Sequence, residues 1–400
     1  MSAATEPLKL AIIAGEPSGD VLGADLISSI KAQSHDRDVA LVGVGGEAMA
    51  AQGLRSLFDY RDLSIVGISA IVAQLPKLLS HIGKATKAIV AADPDVLVII
   101  DSPEFSHRVA RRVRKQRPGI PVVNYVCPTL WAWRPQRAKQ MTAYVDHILS
   151  ILPFEADIVS ALGGPPLTYV GHHLVSTPQL RDATAKQAQL RTTFESTGDG
   201  NGQPPLCLLL PGSRRGEIKR LLPDIGKAAH QLAERMPEVR FHLQTLPRLE
   251  QQIRSATSGW TIPMEIATSS DEKWDAVANA NAALAASGTV LLELSLAGVP
   301  CVSVYKLDGL SKLFMGMVTT WTAALPNLIA DYPVVNEYIN ESVRPGLIAR
   351  RLERLLKNTA ERRQMLVDFD RVREAMDTDL QPAETAAGIV LSLLDSPRSG

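Results

Sequence analysis

The chain has 400 residues, 46% hydrophobic and 21% charged, which excludes a disordered chain and suits two or three domains with sizeable cores. Lysine plus arginine balances aspartate plus glutamate at 42 each, so no overall charge draws the chain to nucleic acid, and no nucleic-acid partner is expected. Cys127, Cys207 and Cys301 sit far apart in apolar runs, as reduced core residues do, and match neither a disulfide framework nor zinc spacing. No metal or other cofactor is expected. The N-terminus lacks a basic leader, and no apolar run reaches the ~18 residues that span a bilayer. Any meeting with lipid is expected at the surface.

In chain order, Leu8–Ala14 is a continuous apolar run closed by Gly15, which predicts a buried parallel strand. The turn Gly15-Glu16-Pro17-Ser18-Gly19-Asp20 leads into a helix, Val21–Lys31. Val39–Val44 is the next strand. A dinucleotide site wants G-x-G-x-x-G after the first strand and an acid after the second, and neither is present, so NAD is set aside. Ile68, Ile71, Val72, Leu75, Leu78, Leu79 and Ile82 recur at helical spacing. Such a stripe packs on its own sheet or lies against a membrane or acyl chain.

Val96–Ile100 is a strand that delivers Asp101 to its carboxyl end, where open α/β sheets bind ligands. Asp101 is therefore a functional candidate; the plainer reading makes it a cap for the following helix. Arg108, Arg111, Arg112, Arg114, Lys115 and Arg117 crowd that helix, suiting an anionic ligand, an anionic lipid surface or plain solvation. Val122–Val126 is another strand, followed by Pro128-Thr129-Leu130-Trp131-Ala132-Trp133-Arg134, in which two tryptophans form either core or a substrate wall. His147–Leu152 and Leu167–Val170 complete six strands. His172 and His173 read as structural rather than as metal ligands.

Ser176–Pro205 is polar and reads as a linker, after which the alternation restarts with Leu206–Leu210, Arg240–Gln244, Met264–Ala267, Ala282–Ala286 and Pro300–Tyr305. The strand Leu206–Leu210 runs into Pro211-Gly212-Ser213-Arg214-Arg215-Gly216 and a helix start. Free backbone N–H groups, the positive end of a helix dipole and fork-shaped arginines suit a pyrophosphate there. Ser287-Gly288-Thr289 repeats the arrangement, with Glu293 one turn in to grip ribose hydroxyls. Leu310–Trp321 is a second apolar stripe, and helices Pro345–Leu356, Ala360–Met376 and Ala383–Leu394 end the chain. The expected fold is α/β, with two doubly wound Rossmann-like domains facing a cleft: an N-terminal domain over 1–175, a linker over 176–205, a C-terminal domain over 206–370 and a terminal helical segment over 371–400. A nucleotide-sugar glycosyltransferase of the two-Rossmann (GT-B) type needs such an arrangement, its diphosphate leaving group steadied by dipoles and arginine and its acceptor hydroxyl served by one carboxylate.

The segments Ala14–Asp20, Tyr125–Arg134, Leu152-Pro153-Phe154-Glu155, Leu210–Arg214, Ser287-Gly288-Thr289 with Glu293, and Leu325-Pro326-Asn327 occur in that order. Together they closely resemble the lipid-A-disaccharide synthase family, from about Leu8 to the C-terminal helices. The resemblance implies an inverting transferase that joins UDP-2,3-diacylglucosamine to 2,3-diacylglucosamine 1-phosphate, giving a β-1,6-linked disaccharide 1-phosphate and UDP. It implies no metal and a peripheral place on the cytoplasmic face of the inner membrane. It also brings in a homodimer with exchanged C-terminal parts, the terminal helix otherwise packing back on the N-terminal domain. Residue by residue, it implies Asp101 as general base, with Glu16 a second catalytic candidate. Gly212, Ser213, Arg214, Ser287, Gly288, Thr289, Glu293 and Asn327 fall on the donor side, and Asp20, Trp131, Trp133 and Arg134 on the acceptor or membrane side. The chain departs from the family pattern at Cys127, His173 and Ser176, and its stretch Asp182–Gln203 does not align. The competing readings are a UDP-sugar epimerase or other UDP-sugar transferase on the same fold, and a non-catalytic nucleotide-sugar-binding protein at a membrane surface.

Overall fold

A computed structural model describes residues 6–34, 37–63, 68–197, 203–307 and 319–395. The chain divides into two compact units, one of Met1–His173 with Thr378–Gly400 and one of Leu174–Asp377.

The first unit holds a parallel sheet of β1 (Leu8–Ala14), β2 (Val39–Val44), β3 (Val96–Ile100), β4 (Val122–Tyr125), β5 (His147–Ser150) and β6 (Leu167–Tyr169), in the order β2-β1-β3-β4-β5-β6. Its helices are α1 (Pro17–Gln33), α2 (Glu47–Ala51), α3 (Ile68–Ala92), α4 (Pro103–Gln116), α5 (Arg137–Met141) and α6 (Glu155–Ala161). Strand alternation sorts side chains into two layers. Ala11, Ile13, Leu97 and Ile99 are buried with Ile82 and Ile89 of α3 and Val109 of α4. Leu10, Ile12, Val98 and Ile100 are buried on the other side with Leu26, Ile27 and Ile30 of α1. Full burial of each such side chain contributes about 1.5–3 kcal/mol, which is why continuous apolar runs settle as central strands.

The polar stretch Ser176–Pro205, expected as a linker, is for most of its length a helix, α7 (Pro178–Thr197), that belongs to the second unit. Leu180, Ala183 and Phe194 are buried there, and Gln187 Nε2 donates to the carbonyls of Val277 and Ala280 at 2.7 and 2.9 Å. Between Leu180 and Phe194 its buried positions are Ala183 and Gln187, which interrupt the apolar pattern normally sought. The second sheet comprises β7 (Leu206–Leu210), β8 (Arg240–Gln244), β9 (Met264–Ala267), β10 (Ala282–Ala286), β11 (Cys301–Tyr305) and β12 (Asn336–Ile339), parallel and ordered β12-β11-β10-β7-β8-β9. β12, with sequence Asn-Glu-Tyr-Ile, is an edge strand without an apolar run, so periodicity does not reveal it. Around the sheet lie α8 (Arg215–Arg235), α9 (Glu250–Thr257), α10 (Ser270–Asn279), α11 (Val290–Ala297), α12 (Leu325–Ala330), α13 (Pro345–Leu356) and α14 (Ala360–Met376). The last helix, α15 (Pro382–Asp395), returns to the first unit, where Ala386, Ala387 and Val390 are buried in the α1 layer.

Both apolar stripes lie only partly within the described residues. On α3, Leu78 and Ile82 are buried, whereas Leu75 and Leu79 are 40% and 42% exposed. Of Leu310–Trp321, residues 310–318 lie outside the described residues, and Trp321 is 55% exposed. Among the described residues no helix is long and apolar enough to cross a membrane.

Candidate active site

In each sheet the strand order reverses once. In the first, the chain runs outward from β1 to β2 and then from β3 to β6, so the switch lies between β1 and β3. In the second it lies between β7 and β10. Open α/β sheets bind ligands outside the carboxyl ends of strands at such points. The candidate residues gather at these two places.

At the first switch, β3 ends in Asp101 and Ser102, two non-glycine residues at φ 49° and 42°. Left-handed backbone of this kind costs about 1–3 kcal/mol per residue and persists where the surroundings enforce it. The enforcement comes from the β1–α1 turn. Gly15 N–H donates to Asp101 Oδ1 at 2.9 Å. A Cβ on Gly15 would stand 2.2 Å from Ser102 Oγ, and one on Gly19 would stand 1.9 Å from Asp101 Oδ2. The spacing Gly15-x-x-x-Gly19 thus admits a carboxylate, where the dinucleotide spacing admits a pyrophosphate. Asp101 does not cap α4, whose N-cap is Ser102. Its Oδ2 is buried without a hydrogen-bond partner. Burial, with a smaller push from the Glu16 charge, outweighs the Gly15 hydrogen bond and raises the Asp101 carboxyl to about 7. A carboxylate poised near neutrality at a cavity wall has the properties of a general base.

Asp101 faces a cavity of about 400 Å³ shared with Glu16, Asn124, Thr129 and Trp133. Asp20 is not part of it: its carboxylate accepts from the N–H groups of Gly46, Ala48 and Met49 at 2.7, 2.9 and 3.1 Å, holding the start of α2. Trp131 is also turned to the scaffold. Its Nε1–H donates to Glu155 Oε1 at 3.1 Å, and its ring meets Phe154 edge to face. Glu155, not singled out from sequence, is 1% exposed, takes a hydrogen bond from Ser150, and is raised to about 7 by burial. It fixes the tryptophan loop from beneath. The loop leaves β4 through Val126, held at φ 71° by the Asn124 amide, which donates to the Val126 carbonyl at 2.9 Å.

At the second switch a cavity of about 590 Å³ is lined by Gly212, Ser213, Arg214, Ser287, Gly288, Thr289 and Glu293. Of the two adjacent arginines only Arg214 lines it. Gly212 has φ 105°, and a Cβ there would lie 2.2 Å from Glu217 Oε2. That carboxylate accepts the Ser213 N–H at 3.0 Å, so a donor expected from sequence to meet phosphate is engaged within the loop. Glu293 pairs with Lys273, a cation of α10 that also lines the cavity and that sequence reading missed. Thr245, at the end of β8, contributes a buried hydroxyl without a hydrogen-bond partner to the same wall. Asn327 does not line the cavity. It is 1% exposed, accepts from the N–H groups of Val334 and Val335 at 2.9 and 2.7 Å, and donates to Val335 O and Thr322 Oγ1 at 3.0 and 3.1 Å. Those bonds use its amide to tie α12 to the approach to β12.

Two parallel doubly wound units with a ligand cavity at each switch define the two-domain glycosyltransferase and epimerase class of fold. A glycosyltransferase of kitacinnamycin superposes with a TM-score of 0.63 at 14% identity, covering 96% of this chain and 99% of that one. UDP-GlcNAc 2-epimerase from Neisseria meningitidis, bound to UDP-GlcNAc, gives 0.59 at 12% identity over 97% and 100% of the two chains. Sequence narrows the class. The model of the lipid-A-disaccharide synthetase family matches residues 10–388, and the chain belongs to that family. Lipid-A-disaccharide synthase of Rhodopseudomonas palustris (strain BisB18) is 44% identical over 391 residues, 96% of each chain. That of Nitrobacter winogradskyi is 41% identical over 393 residues, 98% of this chain and 97% of the relative.

Proposed function

We infer that this chain makes the lipid A disaccharide, the activity of its family, by inverting transfer from UDP-2,3-diacylglucosamine to the 6-hydroxyl of 2,3-diacylglucosamine 1-phosphate. The observation that carries the mechanism is Asp101: a carboxylate at a strand tip, raised to about 7, on a residue that lines a cavity. It takes the proton of the acceptor hydroxyl as that oxygen attacks the donor's anomeric carbon. The bond to the diphosphate breaks, and UDP leaves with its electrons. Arg214 and the N-terminus of α11 at Ser287-Gly288-Thr289 steady the departing charge. Glu293, released from Lys273, takes ribose hydroxyls. Glu16, in the same cavity as Asp101, raises the base's proton affinity by its charge and faces the acceptor. Trp133 and Arg134 wall the acceptor side.

Each substrate carries acyl chains, and Leu75 and Leu79 of α3 in the first unit, and separately Trp321 in the second, are exposed apolar side chains that suit them or a bilayer. This supports a peripheral place at the inner face of the inner membrane, while the basic helix α4 supports it less than its composition suggests. There Arg108, Arg114 and Arg117 are paired with Glu104, Asp146 and Asp93. The test is mass spectrometry of the product formed by purified protein in neutral detergent with both substrates and EDTA. The expected result is a tetraacyl disaccharide 1-phosphate with equimolar UDP. UDP without disaccharide would reject the acceptor, and an epimerised UDP-sugar would reject transfer.

The glycine contacts give a further expectation. Gly19→Ala places a methyl where Asp101 Oδ2 lies, so the carboxylate must move and kcat is expected to fall about tenfold or more, with UDP affinity unchanged by calorimetry. Wild-type kcat in the alanine variant would mean the carboxylate position is not critical.

A further inference from the structure

Next to the Asp101 cavity lies a second one, of about 370 Å³, lined by Arg108, Arg111, Arg134 and Arg137 against a single carboxylate, Glu104. Glu104 bridges Arg108 and Arg137 at 3.0 and 2.7 Å. Arg111 and Arg134 have no acidic partner among the described residues. Each is held by an aromatic ring, with the Arg111 guanidinium 4.7 Å from the centre of Tyr144 and that of Arg134 5.3 Å from the centre of Trp133. Arg134 is placed by left-handed backbone at φ 55°, an outlier of the kind that clusters at ligand clamps. The buried His107 beneath is pushed down to about 4, first by burial and then by Arg111 and Arg137. Pro103, Glu104, His107, Pro128, Leu130 and Arg137 line both cavities, so the two are compartments of one groove.

We propose that this arginine compartment holds the phosphomonoester of the acceptor sugar, with Arg111 and Arg134 as its ligands. The proposal rests on the acceptor reading given above. A sugar whose attacking 6-hydroxyl is at Asp101 carries its phosphate on C1, and C1 and C5 both flank the ring oxygen, so the phosphate falls within one sugar's span of the base; the groove offers a carboxylate in one compartment and uncompensated guanidinium forks in the adjoining one. The fork suits the oxygens of a phosphomonoester, and ring stacking limits the side-chain freedom lost on binding. The same chemistry could read a phospholipid headgroup, and the test separates the two.

Full-length protein in neutral detergent is assayed with 2,3-diacylglucosamine 1-phosphate and with 2,3-diacylglucosamine lacking the phosphate. Arg111→Ala and Arg134→Ala are each expected to raise the KM for the phosphorylated acceptor roughly tenfold or more, with donor KM unchanged. The wild-type preference for the phosphorylated acceptor should shrink by the same factor, and Arg134→Lys should recover part of it. UDP binding shows that each variant is folded, and Arg111→Gln serves where alanine is not tolerated. An unchanged preference in the folded variants overturns the proposal. So does loss confined to binding of phosphatidylcholine vesicles containing phosphatidylglycerol, which would assign the arginines to lipid headgroups. Wild-type protein that binds UDP yet uses neither acceptor overturns the acceptor reading itself.

Discussion

Asp101→Asn is expected to lower kcat by about 10²–10⁴ while leaving UDP affinity intact, because the amide keeps the shape and the Gly15 hydrogen bond but cannot take a proton. Single-turnover rates with UDP titration calorimetry separate the two effects; near-normal turnover would remove Asp101 as base. The pH dependence has a defined sign. The base must be ionised, and burial holds its carboxyl at about 7, so wild-type kcat/KM should rise with pH through about 7 and level above it.

Stability runs the other way. The folded carboxyl binds its proton more tightly than an ordinary aspartate at 3.8, so between about 4 and 7 the folded state carries more protons than the unfolded chain. Asp101's contribution to stability is therefore fully present below about 4 and is lost as pH rises to about 7. Above 7 the buried charge is a standing penalty, roughly 2–4 kcal/mol, that asparagine removes. The inactive variant should melt several degrees higher than wild type at pH 8 and about equal to it near pH 4, by calorimetry. A base maintained at the expense of the fold marks a functional group.

Arg214→Ala carries the second large effect. Arg214 opens α8 and lines the second cavity, and its Ser213 neighbour's N–H is already engaged by Glu217, so on the proposed donor reading the guanidinium is left to carry more of the diphosphate recognition than the loop's sequence alone implies. Losing a hydrogen bond between charged partners costs about 1.5–3 kcal/mol, or a ten- to hundredfold loss in kcat/KM for the donor. If the contact strengthens as charge leaves with UDP, kcat falls with it; if not, only KM rises. Acceptor KM should be unaffected. Unchanged donor kinetics would exclude Arg214 from the site.

Every strand but β12 was readable, most of them because Val, Ile, Leu and Ala runs have few other places to go. The candidate catalytic acid and the two small-residue loops that line the second cavity were readable for a related reason: small or acidic residues stood directly after such runs. What escaped depends on contacts between segments distant in sequence. α7 looks like a linker because its buried residues, Leu180, Ala183, Gln187 and Phe194, include only two large apolar side chains in 20 residues. β12 is polar because it lies at an edge. Asn327 and Asp20 look like ligands in their motifs, and only the fold shows their hydrogen bonds committed to α12 and α2. Lys273 carries no local signature, and Glu155, though it closes the Leu152–Glu155 segment, shows no role there, since each matters through a partner on another element. Strand order, which brings Gly15 to Asp101 and Gly212 to Ser287, is not encoded in periodicity at all.

If the loop holds the donor diphosphate as proposed, the Glu217 carboxylate on the Ser213 amide bears on how the nucleotide enters and leaves. The loop already wraps an anion of its own, so its curvature is rehearsed and little backbone ordering remains for a nucleotide to impose. An incoming diphosphate must either dislodge that resident anion or lie alongside it under mutual repulsion. Either way the exchange weakens the grip on UDP after transfer as well as before it. A loop built in this way favours turnover over retention, since a product that binds in competition with an internal surrogate is more readily let go.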